Sequence, residues 1–132
     1  VAQFFFRRGF IMETNYKILI IDDEKDLCVM LKSFLERQSY ITEFAHTIKD
    51  GLSLAATFQP NLVFLDNNLP DGFGINHIGA IKSTAKGTKI VVISAMTPSR
   101  DESIKNGVNA FIEKPINMAK IKSILMEVRT DQ

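Results

Sequence analysis

The sequence predicts an α/β protein, one domain built on a buried parallel β-sheet with helices on both faces. Three observations carry that prediction. Short, nearly unbroken apolar runs alternate along the chain with segments whose apolar residues recur at helical spacing. Most of those runs are too continuous for strands wetted on one side, which suits a parallel sheet covered on both faces. A chain of 132 residues, 45% of them hydrophobic, fills one domain with a real core but not two.

The elements follow in order. "KILII" (17–21) reads as the first buried strand, and Leu27, Met30, Leu31, Phe34 and Leu35 mark the helix after it. "YITEFA" (40–45) is a second, more alternating strand. Ile48, Leu52, Ala55 and Phe58 then define a helix that must stop before Pro60. "NLVFL" (61–65) is the third strand, followed by the loop "DNNLPDG" and a helix through Ile75, Ile78 and Ile81. "KIVVIS" (89–94) is the fourth. The polar segment 97–107 has Ile104 as its one large apolar residue and Gly107 as a helix stop. "NAFIE" (109–113) is the fifth strand, and Met118, Ile121, Ile124, Leu125 and Val128 form the stripe of a closing helix.

Totals narrow the function. A net charge of +1 gives no global field that would favour nucleic acid or a membrane surface, so neither is expected as a direct partner. The single cysteine, Cys28, rules out an internal disulfide, suits a reducing cytoplasmic setting, and reads as a buried, inert thiol. "VAQFFFRRGFI" precedes Met12; its apolar run is far shorter than the roughly 20 residues of a membrane span and lacks a signal-peptide cleavage pattern. We take residues 16–130 as the domain and 1–15 as an N-terminal extension, with a vector-derived, upstream-start or native origin of 1–11 left open. Phe4, Phe5 and Phe6 would be sticky if exposed and are expected to pack. "EVRTDQ" reads as a natural end, although a piece of a larger protein stays open.

In an open parallel α/β sheet, ligands bind beyond the carboxyl ends of the strands, so the residue after each apolar run matters most. Asp22 and Asp23 follow the first strand, Asp66 the third, Ser94 ends the fourth and Lys114 follows the fifth. If the first and third strands are neighbours, three carboxylates meet and raise one another's pKa unless a cation joins them. A hard divalent ion with oxygen ligands, such as Mg²⁺, fits that set, and with Lys114 the site is poised to accept a phosphoryl group. Each residue also has a simpler reading. Asp23 can cap the following helix with Asp26 as the acidic half of a capping box; Pro70, Asp71 and Gly72 can be turn chemistry; Ser94 can cap a helix; Lys114 can be a solvated charge. All of them applying at one sheet edge is improbable. His46 and His77 lack a second imidazole at ligand spacing and read as surface or helix-packing residues.

The pieces "ILIIDDE", "LVFLDNNLPDGFG", "VVISA" and "FIEKP" resemble the receiver domain of two-component response regulators, over about Lys17 to Val128. The resemblance implies a flavodoxin-like doubly wound (βα)5 three-layer sandwich with strand order 2-1-3-4-5. It implies that Asp66 accepts a phosphoryl group from a phosphohistidine of a sensor histidine kinase or phosphotransfer protein. Mg²⁺, with Mn²⁺ as a substitute, would be held by Asp23 and Asp66, by the backbone carbonyl of Asn68, and by Asp22 mainly through water. Lys114, set by a cis peptide to Pro115, and Ser94 would take phosphoryl oxygens, Phe111 would change rotamer with Ser94, and Gly72 would support the loop. The family's usual output or dimerisation surface lies on the fourth helix, fifth strand and fifth helix. Segment 95–113 is about two residues shorter than the common family spacing, which predicts a short or poorly ordered helix within 97–107.

Two other functions compete with this reading. A haloacid-dehalogenase-like phosphatase would place its nucleophilic Asp before the acid pair and needs a cap domain, for which there is no room. A non-phosphorylated pseudo-receiver, acting only as an interaction module, typically loses the acid pair, the acceptor or the Lys, and all are present here.

Overall fold

The computed structural model describes residues 4–7, 10–13, 15–95 and 107–130. In chain order these form β1 (Phe4–Arg7), β2 (Phe10–Glu13), β3 (Lys17–Ile21), α1 (Lys25–Arg37), β4 (Ile41–Ala45), α2 (Ile48–Phe58), β5 (Leu62–Asp66), β6 (Asn68–Leu69) and β7 (Gly72–Phe73). A 3₁₀ turn (Gly74–His77), α3 (Ile78–Thr84), β8 (Lys89–Ser94), β9 (Ala110–Glu113) and α4 (Met118–Thr130) follow. The expected helix within 97–107 falls largely outside the described residues, as do the side chains of Phe4, Phe5 and Phe6.

The central sheet is parallel with the order β4-β3-β5-β8-β9. Counting only its own strands, that is the expected 2-1-3-4-5. Side chains alternate across a strand, so each apolar run feeds two cores at once. Ile18, Ile20, Phe64, Val91, Ile93 and Ile112 face Cys28, Leu31 and Leu35 of α1 and Ile121, Leu125 and Val128 of α4. Leu19, Ile21, Val63, Leu65, Ile90 and Val92 face Ile48 and Ala55 of α2 and Ile78, Ile81 and Ala85 around α3. The result is three layers. β5, with all five residues buried, lies at the centre, whereas β4 at the edge alternates buried Thr42 and Ala45 with exposed Ile41 and Glu43.

Two short antiparallel pairs were not foreseen. β1 and β2 form a hairpin with Phe4 opposite Glu13 and Arg7 opposite Phe10. β6 and β7 pair across "PD", with Asn68 opposite Phe73, and give the loop beyond Asp66 a fixed shape. The third helix also differs from its prediction: its first turn is 3₁₀, and only Ile78–Thr84 is α-helical.

Local chemistry sets the helix starts. Thr47 caps α2 by accepting the Asp50 amide at 3.0 Å, and Asp71 adds two long-range bonds, accepting Ile48 N at 2.9 Å and Lys49 N at 3.0 Å. These backbone donors hold the Asp71 carboxyl below its ordinary range. The "LPDG" turn is therefore tied to α2 as well as turning the chain. At α1 the simpler reading of Asp23 as a helix cap does not hold. The N-cap is Glu24, without a side-chain capping bond, and Asp23 stays outside the helix. The Glu24 amide is taken instead by Asp22 Oδ1 at 2.8 Å.

Candidate functional site

The site lies at the carboxyl edge of the sheet, where the backbone continues each ladder one step past a strand. Asp22 N donates to Ala45 O at 3.0 Å, Asn67 N to Ile93 O at 3.3 Å and Lys114 N to Ser94 O at 2.8 Å. The residues after β3, β5 and β9 are thus placed by the sheet rather than by loose loops. Asp66 closes β5 and pairs with Ile93.

Asp22, Asp23 and Asp66 each present a carboxylate oxygen within 4.8 Å of the others. Asp22 and Asp66 are buried and Asp23 is exposed. Lys114 reaches in from the far side of the sheet: its Nζ lies 3.1 Å from Asp22 Oδ2, 3.5 Å from Asp66 Oδ2 and 3.5 Å from Glu24 Oε1. Asp66 Oδ1 accepts the Asn68 amide at 3.2 Å. A cleft of about 250 Å³, lined by Asp23, Glu24, Asp66, Asn68, Ala95 and Lys114, gives solvent access to the centre.

The electrostatics are those of a site short of positive charge. Burial pushes the Asp66 carboxyl up to about 6; the Asp22 charge adds to the rise, while Lys114 and the Asn68 amide oppose it. Burial also raises Asp22, against the Glu24 amide and Lys114. For Lys114 burial acts downward, but Asp22, Asp66 and Glu24 together outweigh it and leave the ammonium raised. One lysine does not balance three carboxylates. Asp22 Oδ2 is moreover buried without a hydrogen bond, its one described charge partner being Lys114. Hard oxygen donors, excess negative charge and an open cleft fit a divalent cation of the Mg²⁺ type, with Asp22, Asp23 and Asp66 as the residues that would hold it.

The other predicted residues fall around this centre. Ser94 is buried at the end of β8, opposite Glu113. Phe111 is half-buried on β9, opposite Val92, packed against the core of the α2/α3 layer. The Lys114–Pro115 peptide is cis, and Gly72 takes φ 145° in the β6–β7 turn. His77 is half-buried in the 3₁₀ turn. His46, expected only on the surface or in packing, does more: its Nδ1 donates to the Asp22 carbonyl at 2.9 Å, and its ring lies 5.2 Å from that of Phe44. Cys28 is buried, its thiol donates to the same carbonyl at 3.3 Å, and burial followed by the Asp22 charge pushes it up to about 12.

Three contributors were missed. Glu24 joins the Lys114 ion pairs, a role its place beside two aspartates hinted at. Asn67 accepts Gly74 N through its carbonyl at 2.9 Å and Ile75 N through Oδ1 at 3.0 Å, folding the loop back over β5. Gly74 is the point of closest approach: a Cβ there would run into the Asp66 carbonyl and lie 2.9 Å from Leu65 Cγ. The "GFG" spacing was the available signal.

Known proteins resemble this chain in sequence and fold. Residues 18–126 match the Response regulator receiver domain family. The transcriptional regulatory protein YvcP of Bacillus subtilis is 34% identical over 116 residues, covering 83% of this chain and 48% of its own. The KDP operon transcriptional regulatory protein KdpE of Escherichia coli is 30% identical over 110 residues, covering 82% of this chain and 48% of its own. This chain spans about half the length of those relatives. The crystal structure of a two-component response regulator from Clostridium difficile superposes with a TM-score of 0.80 at 25% identity, covering 87% of this chain and 96% of that one. Among the described residues no helix is long and apolar enough to cross a membrane.

Proposed function

The chain belongs to the response regulator receiver domain family, and on that premise we propose that Asp66 is its phosphoacceptor, taking a phosphoryl group from the phosphohistidine of a sensor histidine kinase or phosphotransfer protein. The observation that carries this reading is the convergence of Lys114 on Asp22 and Asp66, with the acid trio within 4.8 Å, at the end of a cleft wide enough for a phosphoryl group. The family is a signalling phosphoacceptor, so the domain acts as a partner in its own modification.

The chain's residues divide the work. Asp66, with a pKa of about 6, is mostly ionised near neutral pH and offers a carboxylate oxygen as nucleophile. The new bond joins that oxygen to phosphorus; the phosphorus–nitrogen bond breaks, and the leaving imidazole keeps the electron pair. The Asn68 amide holds Oδ1, which orients the carboxylate. Lys114 shifts an N–H from the carboxylates to a phosphoryl oxygen, and the Ser94 hydroxyl takes another. Asp23, Asp66 and the Asn68 carbonyl, with Asp22 mainly through water, would hold Mg²⁺ or Mn²⁺, which would supply the remaining positive charge for the transferring group.

Switching follows from the added charge. New acceptor oxygens draw Ser94 and Lys114 inward, Phe111 changes rotamer beside them, and Pro115 and Gly72 keep the flanking loops in shape. The change reaches a downstream protein or a second copy through the family's usual output face, of which β9 and α4 lie among the described residues. The receiver unit is residues 16–130, with 1–15 outside it and without direct contact to nucleic acid or membrane. Incubation with Mg²⁺ and a small phosphodonor is expected to add one phosphoryl mass to the intact chain, and EDTA to prevent it. An unmodified chain under conditions that saturate the metal would favour the pseudo-receiver reading.

A further inference from the structure

We propose that Glu24 is the exchangeable partner of Lys114, an in-built competitor that a phosphoryl group must displace before it can settle on Asp66. The inference rests on Asp66 being the phosphoacceptor. An ammonium has three N–H donors, and Lys114 faces three carboxylates, Asp22 at 3.1 Å, Asp66 at 3.5 Å and Glu24 at 3.5 Å. One ammonium is shared among three carboxylates, so an incoming phosphoryl oxygen must draw it away from at least one of them.

The three partners are not equally able to leave. The Asp22 side chain is 2% exposed, and its Oδ2 has no hydrogen bond to fall back on. Abandoning it would strand a buried charge. Asp66 is 5% exposed and is itself the group to be modified. The Glu24 side chain is 58% exposed, so its carboxylate rehydrates on rotating outward. Glu24 is the one that gives way.

A second feature sets Glu24 apart from an ordinary surface charge. It occupies the N-cap of α1 but makes no capping bond, so its carboxylate is not tied to the helix's free amides. Its backbone is held instead, with N donating to Asp22 Oδ1 at 2.8 Å and O accepting Cys28 N at 3.1 Å. The residue's backbone is thus anchored to the acid site, while its exposed carboxylate is held by Lys114 rather than by a cap. It also lines, together with Lys114, both the acid cleft and a neighbouring cleft of about 480 Å³ formed with Leu27, Met30, Pro115 and Ile116.

The test compares wild type with Glu24→Gln, which keeps the side chain's size and removes its charge. With acetyl phosphate the acceptor bond forms at Asp66, the phosphorus–oxygen bond to the acetyl group breaks, and acetate leaves with the electron pair. At low ionic strength the variant is expected to reach half-saturation at an acetyl phosphate concentration about twofold to fivefold lower, as loss of an exposed ion pair implies. The limiting rate constant should change less than the half-saturating concentration. The ratio should fall toward one in roughly 0.5 M NaCl, because salt screens the competing pair. Titration with inorganic phosphate, followed by amide shifts at Ser94 and Lys114, should show the same gain without any phosphoryl transfer. Equal half-saturation and equal phosphate affinity in the two proteins would overturn the role of Glu24. Absence of an Asp66 adduct in wild type, with the phosphate difference intact, would instead overturn the phosphoacceptor reading and leave the Lys114–Glu24 competition standing.

Discussion

Replacing Asp66 with Asn should stabilise the metal-free protein, an unusual outcome for a change at a buried polar centre. The folded site raises the Asp66 carboxyl from 3.8 to about 6, so the native state carries an ionised group it disfavours. Converted at about 1.4 kcal/mol per pK unit, that is about 3 kcal/mol of destabilisation. The open cleft lets water screen part of it, so about 1.5 kcal/mol is the working figure. Asparagine keeps an oxygen for the Asn68 amide and has no charge to bury. For a chain of this size the gain corresponds to roughly 5–9 °C in Tm. The sign with pH follows from the raised value. Between 3.8 and about 6 the folded state binds more protons than the unfolded one, so wild-type stability from this group falls as pH rises and the full cost is present above about 6. Thermal melts in EDTA at pH 8 should therefore show Asp66→Asn well above wild type, with the gap closing by about pH 4 and narrowing when Mg²⁺ is added. An Asn variant equal to or less stable than wild type at pH 8, or a gap indifferent to pH, would refute the electrostatic account.

Three other perturbations probe neighbouring parts of the argument. Lys114→Met leaves Asp22 Oδ2 buried without its counter-charge and should cost about 2–4 kcal/mol in urea unfolding without metal, a loss that shrinks as acid protonates Asp22. Gly74→Ala pushes a methyl group into the Asp66 carbonyl and should cost about 1–3 kcal/mol, with amide shifts centred on Leu65–Asn67. Cys28, with its thiol pushed up to about 12, should resist iodoacetamide at pH 8 in the native protein and react once denatured; rapid native labelling would contradict its burial.

How much of this was legible beforehand depends on which forces act locally. The runs "KILII", "NLVFL" and "KIVVIS" announce strands buried on both faces because each residue of such a run meets a core on one side or the other. The same runs give away the site, since Asp22, Asp66, Ser94 and Lys114 sit where each apolar run ends, at the carboxyl edge of the sheet. Boundaries drifted by one residue where polar side chains fit either state; Asp66 belongs to β5 itself rather than to the loop. Contacts that depend on three-dimensional approach left weaker traces. Asp71 reaches amides 22 and 23 positions away, and His46 finds a carbonyl 24 positions away, so local turn rules explain neither. The closeness of Gly74 to Asp66 and the bond between Lys114 and Glu24 arise only when β3, β5 and β9 are brought to one edge. Residue type alone also allowed Asp23 to cap α1, but the helix begins one residue later and Asp23 lines the cleft.

The central claim is that Asp66, and no other carboxylate of the trio, receives the phosphoryl group. Peptide mapping by mass spectrometry after reaction with Mg²⁺ and acetyl phosphate tests it most directly. The account predicts one added phosphoryl group, on the peptide containing Asp66, and none in Asp66→Asn. An adduct on the peptide carrying Asp22 and Asp23, or an undiminished one in Asp66→Asn, would contradict it.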